Sequence, residues 1–291
     1  MRPVAEVLAE VRQAAAGGHR EVHLLGQIVN HYRAPDDDRC DFAELLRRVD
    51  AVPGIARIRF ASPHPRHVTD RMIDAMASLP KVARHLHLPV QSGSNRILGA
   101  MRRRHTREDY LMLVEKLVRR VPGLCLSTDL IVGFPGETDA DFEATLSLLE
   151  TVRFHSVFSF KYSSRPNTLA AKRMADDVPE PEKTRRIVEL QARQKDIQTA
   201  LHARTLGGEV VILIDGESRR GDELSGRTSG NTVVNVPGPA SWIGRFAAVR
   251  VTRTGANSLS GVAVAVEGEN QHDVAAWATR PGASDGQGDA D

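Results

Sequence analysis

The chain has 291 residues, 41% of them hydrophobic, a formal net charge of +2 and two cysteines. That is room for one large domain with a real core and a smaller one, and it excludes a disulfide framework, because Cys40 and Cys125 fall in an expected loop and at the start of an expected strand, 85 residues apart. No run approaches the roughly 18–20 apolar residues of a membrane span, and the opening Met1-Arg2-Pro3-Val4-Ala5-Glu6 lacks the apolar core of a signal peptide, so the cytoplasm is the expected location. Charge is uneven: residues 271–291 hold four Asp against Arg280, leaving an excess of +5 on the rest. Such an excess permits nucleic-acid binding without demonstrating it.

In chain order, Pro3 and the spacing of Val4, Val7, Leu8 and Val11 predict a helix over 3–16, ended by Gly17-Gly18. A short strand at 21–25 closes on Gly26-Gln27, and a loop follows with Asp36-Asp37-Asp38. Phe42, Leu45, Leu46 and Val49 share one face of a helix at 41–51, and 55–60 is the next strand. Thr69 or Asp70 caps a helix to Leu79. Strand 82–88 precedes a helix from Thr106 to about Arg120, and Pro122-Gly123 stops it. Strand 124–132, a helix from Thr138 to Val152, strand 155–162 and a long charged helix from Pro179 to about Thr205 complete this part. Alternating strands and helices, with five strands near residues 22, 57, 85, 128 and 158, predict an α/β fold with a parallel sheet. From 206 to 268 the pattern changes to short strands at 210–214, 224–228, 232–236 and 245–251 separated by Gly, Asn and Ser turns. This is the size of a small antiparallel OB-like β-barrel. The Gly-, Ala-, Asp- and Ser-rich residues 269–291 read as a disordered tail.

Two segments stand out. His87-Leu88-Pro89-Val90-Gln91-Ser92-Gly93-Ser94 and Ser127-Thr128-Asp129-Leu130-Ile131-Val132-Gly133-Phe134-Pro135-Gly136-Glu137-Thr138 each run from a strand into a polar, glycine-containing loop. Loops at the carboxyl ends of parallel strands are where α/β folds bind ligands, so the pair predicts a small-molecule site.

With Leu24-Leu25-Gly26-Gln27-Ile28-Val29-Asn30 and Phe160-Lys161-Tyr162-Ser163, these segments resemble the radical-SAM methylthiotransferases, most closely the branch that methylthiolates isopentenyladenosine in tRNA. The resemblance covers Arg2 to about Val264. Leu224-Ser225-Gly226-Arg227-Thr228 and Asn257-Ser258-Leu259-Ser260-Gly261 resemble a TRAM domain, the family's RNA-binding module. Ile28, Ser164 and Asn167 depart from the usual Asn, Pro and Gly.

The resemblance implies a partial (β/α) radical-SAM barrel over 1–205 and a TRAM domain over 206–268. It implies S-adenosylmethionine and [4Fe–4S] clusters as cofactors, tRNA with its anticodon-loop adenosine as partner, no membrane, and a monomer in the full-length form. Family clusters are held by three cysteines in a Cys-x3-Cys-x2-Cys loop after the first barrel strand, with a second cluster in a separate N-terminal domain. The resemblance starts just after that loop, which implies a truncated chain lacking the first strand. Two cysteines cannot supply the ligands, so the metal site is expected to be absent and the isolated chain inactive. Strand 21–25 would then show an unpaired edge, and poor solubility is expected.

For the remaining pocket walls, the resemblance implies that Gly26, Gln27, Asn30, Gln91, Ser92, Asp129 and Gly133 bind S-adenosylmethionine. Simpler readings stand beside these. Gly26 is a turn; Gln27 and Asn30 are surface polar groups; Asp129, inside an apolar strand, is internally paired; Gly133 serves backbone geometry. His85 and His87 alternate on one strand face as a ligand pair or as packed histidines. Arg66 meets a carboxylate or solvent, and Lys161 faces tRNA or S-adenosylmethionine. Arg102-Arg103-Arg104 is a solvated run or a tRNA phosphate contact. Arg219, Arg220 and Arg227 are the candidate RNA-backbone contacts on the small barrel. A non-catalytic RNA-binding protein, the ribosomal-protein branch and an iron-free α/β-barrel enzyme are the competing readings.

Overall fold

A computed structural model describes residues 1–166, 168–218 and 221–269. Arg219, Arg220 and the expected tail beyond Glu269 lie outside the described residues.

The elements follow in chain order. They are α1 (Val4–Ala16), β1 (Glu21–Leu24), β2 (Arg33–Ala34), β3 (Asp37–Asp41), α2 (Phe42–Asp50), β4 (Arg57–Phe60), α3 (Asp70–Ser78), β5 (His85–His87), α4 (Asn95–Ala100), α5 (Arg107–Arg120), β6 (Cys125–Val132), α6 (Asp139–Val152), β7 (Ser156–Lys161), α7 (Leu169–Arg173), α8 (Glu180–Ala203), β8 (Glu209–Glu217), β9 (Leu224–Thr228), β10 (Val233–Val236), β11 (Phe246–Thr254) and β12 (Leu259–Val266). No described helix is long and apolar enough to cross a membrane.

Local chemistry sets most helix starts. The Asp41 carboxylate accepts from Glu44 N, Thr69 Oγ1 from Met72 N, and Ser94 Oγ from Ile97 N, each closing one orphan donor of the first turn. At α6, Thr138 and Asp141 form a reciprocal capping box.

The expected five parallel strands are present as β1, β4, β5, β6 and β7. β1 pairs with β4 in parallel, from Glu21 opposite Arg57 to Leu24 opposite Phe60, and Ile58 bridges Val82. The sheet order β5-β6-β7 follows, with β6 and β7 parallel. Among the described residues β1 pairs with no strand besides β4, which leaves the edge expected from the sequence.

Three readings need correction. The stretch around Asp36 is a hairpin: β2 and β3 pair antiparallel, with Arg33 opposite Asp41. Its turn is held because Asp36 accepts the free amides of Val4 (2.8 Å) and Ala5 (3.3 Å), so it caps α1 from 32 residues away. Cys40 therefore lies in β3 and not in a loop, and it is fully buried. The C-terminal strands close a barrel in the order β10-β12-β11-β8-β9, but β12 was absent from the expected set and its pairing with β10 is parallel, so the barrel is not wholly antiparallel.

The chain forms two compact units. One comprises Met1–Leu86, Leu117–Cys125 and the chain from Thr199; the other comprises His87–Lys116 and Leu126–Gln198. In the first unit the barrel interior is filled by alternate residues such as Val210, Ile212, Ile214, Val249 and Val251. The opposite face of β8 and β11 is also buried, through Val211, Leu213, Phe246 and Ala248 packed with Ala56. Arg57 and Arg20 lie over the Phe246 ring at 5.2 and 5.6 Å.

Candidate functional site

In the first unit, α1, the β1 carboxyl end and the loop after it enclose a cavity of about 780 Å³. Gly26 and Gln27 line it, with Leu24, His23 and His31. A Cβ on Gly26 would come within 3.3 Å of Val29 Cα, so the glycine suits the tight return of the loop. Leu25 and Ile28 are exposed here. Asn30 plays a different part. Its Nδ2 donates to His64 O (3.0 Å) and its Oδ1 accepts from His64 N (2.9 Å), so its amide locks this loop to the one after β4. With one amide hydrogen and one lone-pair direction left on a buried group, Asn30 has little to offer a ligand.

The same unit holds an ion cluster that sequence reading did not single out. Glu21 on β1 faces Arg57 (3.4 Å) and Arg59 (3.1 Å), both buried on β4, and His23 (2.7 Å). Burial works against the carboxylate charge, but the His23 hydrogen bond and the Arg59 and Arg57 guanidiniums prevail and lower Glu21 to about 2. The two arginines spend their other donors on barrel carbonyls: Arg57 on Arg227 O (2.9 Å), Arg59 on Thr228 O (2.7 Å) and Ser229 O (3.2 Å). The only sequence signal was Arg-Ile-Arg in a strand, two guanidiniums on one face. Arg227 itself is held over the barrel surface near Asp215 (3.4 Å), with its side chain 44% exposed.

In the second unit the Gln91 loop is built by the elements beneath it. Thr128 Oγ1 accepts from Val90 N and donates to Leu88 O, which also accepts the buried Tyr110 hydroxyl. Gln91 sits at φ 79°, a conformation costly outside glycine, and is fixed by Gln91 N to Asp129 O and Ile131 N to Gln91 O, both 2.9 Å. It lines a second cavity, of about 510 Å³, with Arg102, Arg103, Ile131, Phe134 and Arg173. Ser92 is fully buried and meets Thr145 Oγ1 at 3.4 Å, and its Oγ accepts Ser94 N. Gly93 packs against α6 so closely that a Cβ would lie 2.6 Å from Thr145 Cα and overlap the Ala144 carbonyl. Asp141 anchors the end of this loop. Burial opposes its charge, yet hydrogen bonds from Arg96, Ser94 and Thr138 hold it well below the usual carboxylate range.

Gly133 also serves the scaffold. At φ 70° its amide donates to Glu137 Oε2 (2.6 Å), and a Cβ would collide with the Lys183 side chain. Arg186 pairs with the same Glu137 oxygen at 2.9 Å, and burial nevertheless raises Glu137 above its ordinary value. Asp129 is internally paired: His87 Nε2 lies 3.4 Å from its Oδ1, and His87 Nδ1 lies 3.0 Å from Ser127 Oγ. Both side chains keep about a quarter of their surface exposed. Lys161 is bound to Glu180. The structure thus brings Gly26 with Gln27 to one cavity and Gln91 to another beside Asp129. It places Asn30, Ser92 and Gly133 in the framework.

The donor set does not fit an iron–sulfur cluster. Cys40 and Cys125 are both buried free thiols, and no group of three His, Cys, Asp or Glu among the described residues could hold a metal ion.

Residues 1–149 match the Radical SAM superfamily and residues 203–264 the TRAM domain. The chain is 51% identical over 275 residues to a tRNA-2-methylthio-N(6)-dimethylallyladenosine synthase of Halorhodospira halophila, covering 93% of this chain and 58% of that protein. It is 47% identical over 269 residues to the synthase of that name from Thiobacillus denitrificans, covering 91% and 60%. The chain thus spans somewhat under two thirds of the curated relatives it matches. Among solved structures, coproporphyrinogen III oxidase of Escherichia coli, described as a Radical SAM enzyme, superposes with a TM-score of 0.47 at 14% identity, over 78% of this chain and 60% of its own.

Proposed function

The chain belongs to the radical SAM superfamily, and from that premise we propose that it is the S-adenosylmethionine- and RNA-binding part of a tRNA methylthiotransferase. The reaction of the whole enzyme would add a methylthio group to C2 of an N6-isopentenyladenosine in the anticodon loop, in the cytoplasm. One observation carries the reading: identity near 50% runs through both the α/β part and the barrel, over nine tenths of the chain. In this reading residues 1–205 form the catalytic scaffold and 206–268 the RNA-binding module.

The family's cluster supplies the electron that makes S-adenosylmethionine reactive. This chain lacks its ligands, so its own residues bind and orient. Gly26 leaves the β1 end open to a ligand, and Gln27 offers an amide to its polar groups. Gln91, in the loop past β5, offers an amide at its cavity, with the His87-paired Asp129 carboxylate inside the neighbouring β6. Arg227 offers a guanidinium to an RNA backbone.

Calorimetric titration with S-adenosylmethionine and with a tRNA tests this. Saturable binding of both is expected, with Gly26→Val weakening the first alone. A chain that binds neither refutes the reading. The two-cysteine count favours a second reading, an RNA-binding protein without catalysis. Binding of tRNA with no binding of S-adenosylmethionine would select it.

A further inference from the structure

In the first unit, the loops at the carboxyl ends of β1 and β4 bring together three histidines and an arginine that the loop motifs do not account for. His31 closes a short 3₁₀ turn, Val29–His31. His64 caps a second, Pro65–His67, which carries Arg66. The rings meet: His31 stacks on His67 with centroids 4.3 Å apart and planes at 29°, and His64 stands edge-on to His67 at 5.8 Å. The two turns are tied together. Asn30, next to His31, holds both the amide and the carbonyl of His64, and Val29 N donates to Ser62 O at 3.3 Å. Ser62 itself sits at φ 60°, a left-handed conformation of the kind that clusters at ligand sites.

What this group offers is N–H donors and positive charge. His64 Nδ1 accepts the Arg66 amide at 3.2 Å, which leaves the ring hydrogen on Nε2. Stacked rings turn faces rather than nitrogens to one another, and no metal site forms among the described residues. Burial, His31 and Arg66 all push His67 below its ordinary value, and no carboxylate among the described residues offsets them. The acids nearby are engaged elsewhere: Asp70 with Arg120, Asp41 with Arg71 at 3.0 Å, Glu10 with Arg2, and Glu21 with His23, Arg57 and Arg59. His31 and Arg66 are exposed, and His31 also lines the 780 Å³ cavity. Donors gathered without a carboxylate of their own suit an oxyanion. The exposed turns leave the site open, which suits a strand of phosphodiesters better than an enclosed small molecule.

We propose that His31, His64, Arg66 and His67 form a phosphate clamp for the backbone of an RNA strand. The proposal rests on the RNA-binding reading above and adds a contact separate from Arg227 on the barrel. It carries a pH signature. A phosphodiester beside His67 favours the imidazolium, so a group depressed in the free chain is raised in the complex, and binding takes up a proton between the two values. Affinity therefore rises as pH falls, while the phosphodiester stays ionised throughout.

The test is fluorescence anisotropy of a labelled RNA stem-loop with the whole chain, at pH 6 and pH 8 and over a salt series. Wild type is expected to bind about 5-fold or more tightly at pH 6 than at pH 8. His31→Gln with His67→Gln is expected to flatten that ratio to about 2-fold or less. Arg66→Gln should weaken binding roughly 5-fold at both pH values and lower the log–log salt slope by about 0.7, with Arg66→Lys recovering most of the slope. In ring-proton NMR the His67 titration should move up when the RNA is added. Thermal melts check that the variants are folded; should the double histidine variant melt early, the exposed Arg66 variants and the NMR titration carry the test.

A pH ratio and a salt slope that survive all the substitutions, or a His67 titration that RNA leaves in place, would overturn the proposal while leaving RNA binding standing. A His67 titration raised by inorganic pyrophosphate or by S-adenosylmethionine but not by RNA would assign the group to a small molecule and also overturn it. A chain that binds no stem-loop at all sinks the RNA-binding reading itself.

Discussion

Replacing Glu21 by Gln removes the carboxylate set against two guanidiniums whose side chains are only 4% and 5% exposed. Two routes give the size of the loss. Breaking one partner out of a buried ion pair typically costs 3–5 kcal/mol, because the other charge is left uncompensated. Independently, Glu21 falls from an ordinary 4.5 to about 2, and at 1.36 kcal/mol per pH unit that is about 3 kcal/mol. The sign follows from proton binding: between pH 2 and 4.5 the unfolded chain holds the proton and the folded chain does not. The stabilisation is therefore full above pH 4.5 and disappears as pH falls through 2. Urea unfolding of wild type and Glu21→Gln should differ by about 3 kcal/mol at pH 7 and by roughly 1 kcal/mol at pH 3. Because Arg57 and Arg59 also hold the carbonyls of residues 227–229, the variant should lose amide-exchange protection at those barrel residues as well. A difference below 0.5 kcal/mol at pH 7, or one of constant size between pH 7 and pH 3, would refute the reasoning.

Gly93→Ala should destabilise the chain by about 2 kcal/mol, since the new methyl meets backbone atoms of α6 that cannot turn aside; an unchanged melting temperature would contradict this. Phe246→Ala should cost about 3–5 kcal/mol in urea unfolding, as a fully buried ring packed beneath Arg57 and Arg20 is lost; a cost under 1 kcal/mol would show that this face is not a true core. Reconstitution of the 291-residue chain with iron and sulfide should leave no bound cluster after desalting. Stoichiometric iron with the broad visible absorbance of thiolate-bound iron would overturn the ligand argument.

Much of the fold was legible because its signals are local. Thr138 and Asp141 close their capping box within three residues, Thr69 finds Met72 three residues on, and the five parallel strands announce themselves by short apolar runs between helical periods. β12 was harder, since Leu259–Val266 alternates small residues with valines and is strengthened only by its neighbours β10 and β11. The hairpin of β2 and β3 read as a loop because its aspartates disfavour strands; what stabilises it is Asp36 capping α1 from across 32 residues.

At the candidate site, residue types and their order along the chain named the loops, and that much the sequence determined by itself. Which polar groups remain open to a ligand was decided by tertiary structure. Asn30 and Gln27 look alike in the motif, yet the Asn30 amide is consumed by His64, 34 residues away, while Gln27 stays on the cavity wall. Ser92 and Gly133 turn inward to Thr145 and Glu137, and Phe158, an ordinary strand residue in the sequence, is left exposed beside Asp129. The reason is physical: a side chain's chemistry is written in its residue type, but its spare hydrogen bonds and exposed surface depend on partners that only folding brings within reach.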